Sequence, residues 1–285
     1  MINQSSFDLH NPHIVSAIDD VPLWSAPFGQ KILELVKMRR DMRVLDVGCG
    51  TGFPLIELSQ RLGATCQCYG IDPWEEAVQR AQHKLAARNI LNVDIRTGVA
   101  EALPFESDFF DLIISNNGIN NVDDDHKALG EMARVANDDA QLIFTMNLPD
   151  TFSLFYRIFE NALQQQGKTG NIEKMYEHIH ARRKPLDYWL SLLQKVGFKL
   201  KDIHQDEFSF RYLDGACMLN HFFIKLAFLP SWLEIVESTD AVHIFQEIQK
   251  RLDDVAETPE GLLLNVPWVA ITATKSASCL YGLSF

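Results

Sequence analysis

Asp46, Gly48, Gly50 and Gly52 stand in the stretch VLDVGCGTGFP, where an apolar run gives way to glycines spaced two apart. Such a loop, with Cys49 inside it, brings bare backbone close to a ligand. Three ligand chemistries compete for it. A phosphate cradle needs a Gly-Lys-Ser/Thr ending, so that the lysine reaches the phosphates, and no lysine is present here. A dinucleotide loop needs Gly-x-Gly-x-x-Gly, and here the third glycine comes one position early. Asp46 precedes the loop; a carboxylate there repels a pyrophosphate and attracts an ammonium or sulfonium. The loop is therefore expected to hold a ligand with a cationic end.

The elements that must position this loop alternate. RVLDV, CQCYGID, VDIRTG, FFDLIISN and AQLIFTMNL read as strands. FPLIELSQRL, WEEAVQRAQHKLAARN and DDDHKALGEMARVA read as helices between them. Strands alternating with helices imply parallel βαβ units and a doubly wound sheet, with ligands bound beyond the carboxyl ends of the strands. After Pro149 the rhythm breaks into helices: TFSLFYRIFENALQQQ and NIEKMYEHIHARR, separated by a flexible GKTG, then LDYWLSLLQKVG. FKLKDIHQDEFSFRY alternates like a strand, the chain from Asp214 to about Glu257 reads as helical, and GLLLNVPWVAITATK closes as a strand with Pro267 at a bulge or edge. The expected organisation is an N-terminal lid over 1–42, a binding core over 43–150, and helical cap insertions over 151–196 and 214–257. The remaining core strands then lie in 197–213 and 258–285.

At this point VLDVGCGTG resembles the first motif of class I S-adenosylmethionine-dependent methyltransferases. YGIDP, TGVAEALPFESDFFDLIISN and EMARVA…LIFTMNL resemble, in the same order, the family's second acidic position, adenine loop with fourth strand, and fifth-strand region. The resemblance covers roughly Met42 to Leu148. ALPF and FFDLIISNNGINNV are closest to the group that includes ubiquinone and menaquinone biosynthesis enzymes acting on small molecules. It implies a seven-stranded, mostly parallel Rossmann-like α/β sheet with S-adenosylmethionine as cofactor and S-adenosylhomocysteine as product. By the same resemblance Asp46, Gly48, Cys49, Gly50 and Gly52 form the cofactor loop. Asp72, with Pro73, accepts from the ribose hydroxyls; Val99, Ala100 and Glu101 border the adenine; Asn116 and Asn117 meet the methionine portion. Two departures are visible. Val99 stands where many relatives have an acid for the adenine amino group, which leaves Glu101 or no side chain to make that contact. NDDAQ replaces a Lys-Pro-Gly-Gly turn before strand five.

Candidates for the methyl acceptor's site are Asn120 and Asn121, whose amides orient a neutral polar group, although Asn and Gly are also favoured in turns. Trp24 and Phe28 precede the first strand, where resembling enzymes fold a lid, and core packing is the competing reading. Tyr156 and other cap aromatics imply a mainly apolar, enclosed pocket. His178 is a candidate base, and Arg182, with Arg183 and Lys184, a candidate anchor for a carboxylate or phosphate; a solvated helix face is the usual explanation for such a run. His126 follows three acids and reads as a surface residue. No general base is required for a nucleophile that need not lose a proton.

Composition narrows the partners. The net charge of −12 argues against a nucleic-acid binder, which needs a basic footprint. Five cysteines at scattered positions show no disulfide or metal framework; Cys66 and Cys68 share a strand face as small apolar residues. The start of the chain lacks the pattern of a signal peptide, and the most membrane-like stretch, 216–236, contains His221, Lys225, Pro230 and Glu234. The expectation is a cytoplasmic enzyme, monomer or homodimer, that methylates a small, largely apolar or aromatic molecule. A macromolecular acceptor, a non-catalytic cofactor binder and a dehydrogenase are the competing readings.

Overall fold

The structure, a computed structural model, describes residues 7–20 and 23–276. The expectations for residues 1–6, 21–22 and 277–285, including Cys279, lie outside the described residues. Two helices come first, α1 (Pro12–Asp19) and α2 (Ser25–Leu35). Asn11 caps α1 by accepting from the His13 N–H at 2.9 Å, with Pro12 preset for the first turn. Then β1 (Arg43–Val47), α3 (Leu55–Leu62), β2 (Gln67–Asp72), α4 (Glu75–Ala87) and β3 (Val93–Thr97) alternate. β4 (Phe110–Asn116), α5 (Asp125–Val135) and β5 (Ala136–Asn147) follow. The five strands expected from apolar runs are all present. NDDAQ lies within β5, as an irregularity in its pairing with β4, and Asp139 there has φ 60°.

The later chain contributes α6 (Ser153–Gln165), α7 (Thr169–Arg182), α8 (Leu186–Lys195) and β6 (Phe198–Tyr212). Four helices come next, α9 (Gly215–Asn220), α10 (Phe222–Ala227), α11 (Leu229–Leu233) and α12 (Ser238–Ala256), before β7 (Leu262–Lys275). The membrane-like stretch is thus broken into short helices, and no helix among the described residues is long and apolar enough to cross a membrane. The seven strands form one sheet in the order β3-β2-β1-β4-β5-β7-β6. β1 pairs in parallel with both β2 and β4, so the order reverses between β1 and β4. β7 lies between β5 and β6, so Pro267 is not on an edge strand; its carbonyl accepts from the Leu148 N–H, just past the end of β5, at 2.8 Å.

The chain divides into two compact units. One contains Asn147–Lys184 and Asp206–Pro267; the other contains Leu9–Met146 and Pro185–Gln205 and resumes at Trp268. Residues 185–196, expected in the first cap insertion, group with the second of these. The reason is packing: Trp189 meets Phe144 of β5 edge-on at 6.0 Å, and Tyr188 donates to Asp125 at 2.7 Å. GKTG is not a free spacer, because α7 begins at Thr169. In the sheet unit, Ile32 and Leu33 of α2, Leu55 and Leu58 of α3, and Val78 and Leu85 of α4 bury one sheet face. They meet Val44, Cys68, Ile95, Leu112 and Ile143 from the five parallel strands. Periodic apolar positions on each helix supply this core, and its burial is the main force holding the strand ends in register.

Candidate functional site

The loop after β1 turns sharply. Gly50 (φ 50°) and Gly52 (φ 98°) adopt left-handed backbone that side chains resist. A Cβ on Gly50 would meet nothing within 4 Å, so its open side faces space; one on Gly52 would lie 2.6 Å from Ile56 Cδ1. The two glycines thus differ: Gly50 faces open space, and Gly52 packs against Ile56 of α3. Gly48 touches the loop after β4: its Cβ would sit 3.1 Å from the Gly118 Cα. The N–H groups of Gly48 and Cys49 both donate to the Ile71 carbonyl, at 2.8 and 3.2 Å, and tie the loop to β2.

Asp72 ends β2 with each carboxylate oxygen held by a backbone donor. Oδ2 accepts from the Gly50 N–H at 2.7 Å and Oδ1 from the Trp74 N–H at 2.9 Å. Burial raises its pKa above the ordinary value, and those two bonds oppose the shift. Asp46 behaves differently. Its side chain is fully buried, neither oxygen has a hydrogen-bond partner, and burial followed by the charge of Asp72 pushes its pKa well up.

A cleft of about 630 Å³ opens at the carboxyl ends of β1 to β4, where the strand order reverses. Its walls are Val47, Gly48 and Gly50 after β1, then Ile71 to Trp74 at the end of β2. Gly98 to Glu101 follow β3, Asn116 to Gly118 and Asn121 to Asp123 follow β4, and Trp24 and Ser25 come from the N-terminal segment. Expected residues found here are Gly48, Gly50, Asp72, Pro73, Val99, Ala100, Glu101, Asn116, Asn117, Trp24 and Asn121. Asp46, Cys49, Gly52, Phe28 and Asn120 do not line it. Asp46, sealed behind the cleft, offers no surface to a ligand there. The cleft is nonetheless acidic: among the described residues Asp72, Glu101 and Asp123 line it, and no Lys, Arg or His does.

Supporting bonds explain the remaining placements. Phe28 is fully buried against Trp268, with ring centroids 5.4 Å apart, so it packs the core. Asn117 takes left-handed backbone (φ 54°), which Asn tolerates, and its N–H is shared by the Thr145 carbonyl and hydroxyl at 3.1 Å each. Asn120 stands behind it and donates to Asn117 Oδ1 at 3.1 Å. Asn116 donates to the Ser25 carbonyl and accepts from the Thr145 hydroxyl, both at 3.3 Å, which links the start of α2 to the sheet. Glu101 Oε1 accepts from the N–H groups of Asp123 and Asp124 at 2.8 and 3.1 Å, so that oxygen shapes the rim. Asp19, at the end of α1, accepts from Thr51 of the glycine loop at 2.7 Å and from Arg80 and Lys84 of α4 at 2.9 and 2.6 Å.

Trp74, Val122 and Asp123 line the cleft without having been singled out. Trp74 directly follows Asp72 and Pro73, and that adjacency was the signal; its place at the head of a helix pattern hid it. Tyr156, His178 and Arg182 belong to the other unit and are not among the lining residues. Tyr156 is buried and accepts from Trp232 Nε1 at 3.0 Å; Arg182 and His126 are exposed.

The family described as a methyltransferase domain matches residues 38–197. The uncharacterized methyltransferase YcgJ of Bacillus subtilis is 24% identical over 181 residues, covering 64% of this chain and 66% of that one. A demethylmenaquinone methyltransferase of Staphylococcus aureus is 32% identical over 130 residues, covering 46% of this chain and 53% of that one. The chain thus spans between half and two thirds of the length of these relatives. The crystal structure of the Bacillus YcgJ protein shares the fold, with a TM-score of 0.58 at 18% identity over 89% of this chain and all of that one.

Proposed function

The chain belongs to the methyltransferase domain family, and from that premise we propose that it transfers a methyl group from S-adenosylmethionine to a small molecule. The observation that carries the reading is the charge of the cleft: among the described residues three carboxylates line it and no basic side chain does. Phosphates reward Lys and Arg, so a dinucleotide is poorly served. A ligand with an ammonium, a sulfonium and no phosphate suits the same walls. When bound, S-adenosylmethionine supplies an electrophilic methyl group on its sulfonium.

This chain's residues would then divide the work. Asp72 accepts from the ribose hydroxyls with the lone pairs that Gly50 and Trp74 leave free. The exposed side chain of Val99 offers the adenine an apolar face, and Ala100 its N–H. Gly48 and Gly50 let the backbone meet the methionine portion, with Asn116 and Asn117 at its end. Catalysis rests on alignment and water exclusion, and orientation alone contributes up to about 7–11 kcal/mol in well-aligned cases.

The acceptor is a largely apolar or aromatic small molecule. Trp24, Trp74, Val47, Ile71 and Val122 give the cleft apolar walls, and the Asn117 and Asn121 amides add neutral polar contacts. The Staphylococcus aureus relative is named for demethylmenaquinone, and an acceptor of that character suits such walls. The free thiols of buried Cys49, Cys66 and Cys68 suit a reducing cytoplasmic setting.

Calorimetric titration with S-adenosylmethionine tests the reading, with Asp72→Ala in parallel. Micromolar binding by the wild type, weakened about tenfold or more in the variant, is expected. Equal binding by both proteins would overturn the pose. Binding of a nicotinamide dinucleotide in preference would overturn the function.

A further inference from the structure

The unit containing Asn147–Lys184 and Asp206–Pro267 carries a buried cation without an anion. Arg183 follows the last turn of α7 and is only 5% exposed. Among the described residues no carboxylate lies within ion-pair distance of its guanidinium. Its bonds are few and long: Nη1 donates to the Thr151 carbonyl at 3.3 Å and Nη2 to the Tyr156 hydroxyl at 3.5 Å. The group also lies over the Tyr156 ring, 5.4 Å from its centre. A guanidinium has five N–H donors in a fixed fork. Most of that capacity is unspent at a position where burying a charge is costly.

Its neighbours are donors too. The Tyr156 hydroxyl already accepts from Trp232 Nε1 at 3.0 Å and from Arg183, so its own hydrogen is left to donate. The C-terminal end of α7 favours a cation but supplies no fork-shaped acceptor. The Phe155 ring stacks on Trp232 at 3.8 Å, which fixes the indole and through it the tyrosine hydroxyl. A planar cation with donors to spare beyond its two long bonds, beside a rigidly held phenol hydroxyl, matches a carboxylate or phosphate, whose paired oxygens take an Arg fork in two parallel bonds.

We propose that Arg183 and Tyr156 form a binding site for the oxyanion of a small molecule, a carboxylate or a phosphate. Of the basic run at 182–184, the exposed Arg182 is the solvated member and the buried Arg183 the anchor. His178 is the reporter. Its imidazole is half-buried and titrates below its ordinary value, first through burial and then through the charges of Arg183 and Arg182, against which Glu234 acts. An anion bound to Arg183 offsets those charges and raises the His178 pKa.

The proposal does not rest on methyl transfer, and its test needs no S-adenosylmethionine. The full chain is titrated with inorganic phosphate and, separately, with benzoate, each against chloride at matched ionic strength. Thermal unfolding and the NMR titration of His178 are followed. Saturable stabilisation with an upward shift of the His178 pKa is expected from at least one anion, and which one it is separates phosphate from carboxylate. Arg183→Met should weaken that binding about tenfold or more, and Tyr156→Phe by a smaller factor. Should Arg183→Met fail to fold, Tyr156→Phe and the wild-type His178 shift still decide. No difference from chloride, or undiminished binding in the variants, would overturn the site.

Discussion

At Asp72 the two backbone donors dictate what a substitution does. Asparagine keeps the shape, yet either orientation of its amide turns an NH₂ toward the N–H of Gly50 or of Trp74. Asp72→Asn is therefore expected to lose nearly as much S-adenosylmethionine affinity as Asp72→Ala, measured by calorimetry. Asp46 gives a different prediction. Its folded pKa is raised, so the folded state holds that proton more tightly than the unfolded state. Stability then falls as pH rises from the unfolded value of about 3.9 up to the folded one. Asp46→Asn removes this slope, so the melting temperature of the variant relative to wild type should rise between pH 5 and pH 8. What spacing pointed to at this scale was the glycine loop, and the family resemblance pointed to Asp72. Neither could reveal that Asp46 is sealed inside, because a motif names the residue type and leaves its burial open. Phe28 was ambiguous for the same reason.

Among the elements, α1 is held to the glycine loop and to α4 by one carboxylate. Burial alone would raise the Asp19 pKa; bonds from Lys84, Thr51 and Arg80 outweigh it and lower the value. A depressed acid contributes stability above its unfolded pKa and loses it as pH falls through the folded one. Asp19→Asn should thus lower the melting temperature at pH 7, with the gap closing toward pH 3, as read by thermal unfolding across pH. Gly52 links loop and helix more rigidly. Gly52→Ala combines a disfavoured φ with contact against Ile56, and should cost more than about 1 kcal/mol in denaturant unfolding. The strands β1 to β5 were legible because apolar runs ending in turn residues have one good reading. The grouping of α8 was not. An amphipathic pattern states that a helix is covered and does not state by what, and Trp189 against Phe144 settles it. Of the two places expected for Pro267, a bulge or an edge, the edge is excluded, because a missing N–H is a local property and does not fix the strand's place in the sheet.

For the whole molecule the charge of −12 sets the partners it repels. No salt-sensitive retention of single- or double-stranded polynucleotide is expected even at about 50 mM salt, read by fluorescence anisotropy. The acidic lining of the cleft shows the same sign at the site, so the long-range field and the local one agree for a cationic ligand. The seven-stranded, mostly parallel sheet was implied by the family resemblance and is present; its strand order is read from the structure. The division of the chain was less legible, since the units are discontinuous in sequence and β6 and β7 each contribute residues to both.

Gly48 and Gly118 meet backbone to backbone beneath the cleft, and a Cβ on Gly118 would fall 2.9 Å from both Ser115 Oγ and the Val47 carbonyl. The spacing of these two loops is therefore written in main chain, where no exchange of side chains can adjust it. Anyone reshaping this protein to take a bulkier ligand must work from the rim, at Trp24, Asn121 and Val122, and leave the floor alone.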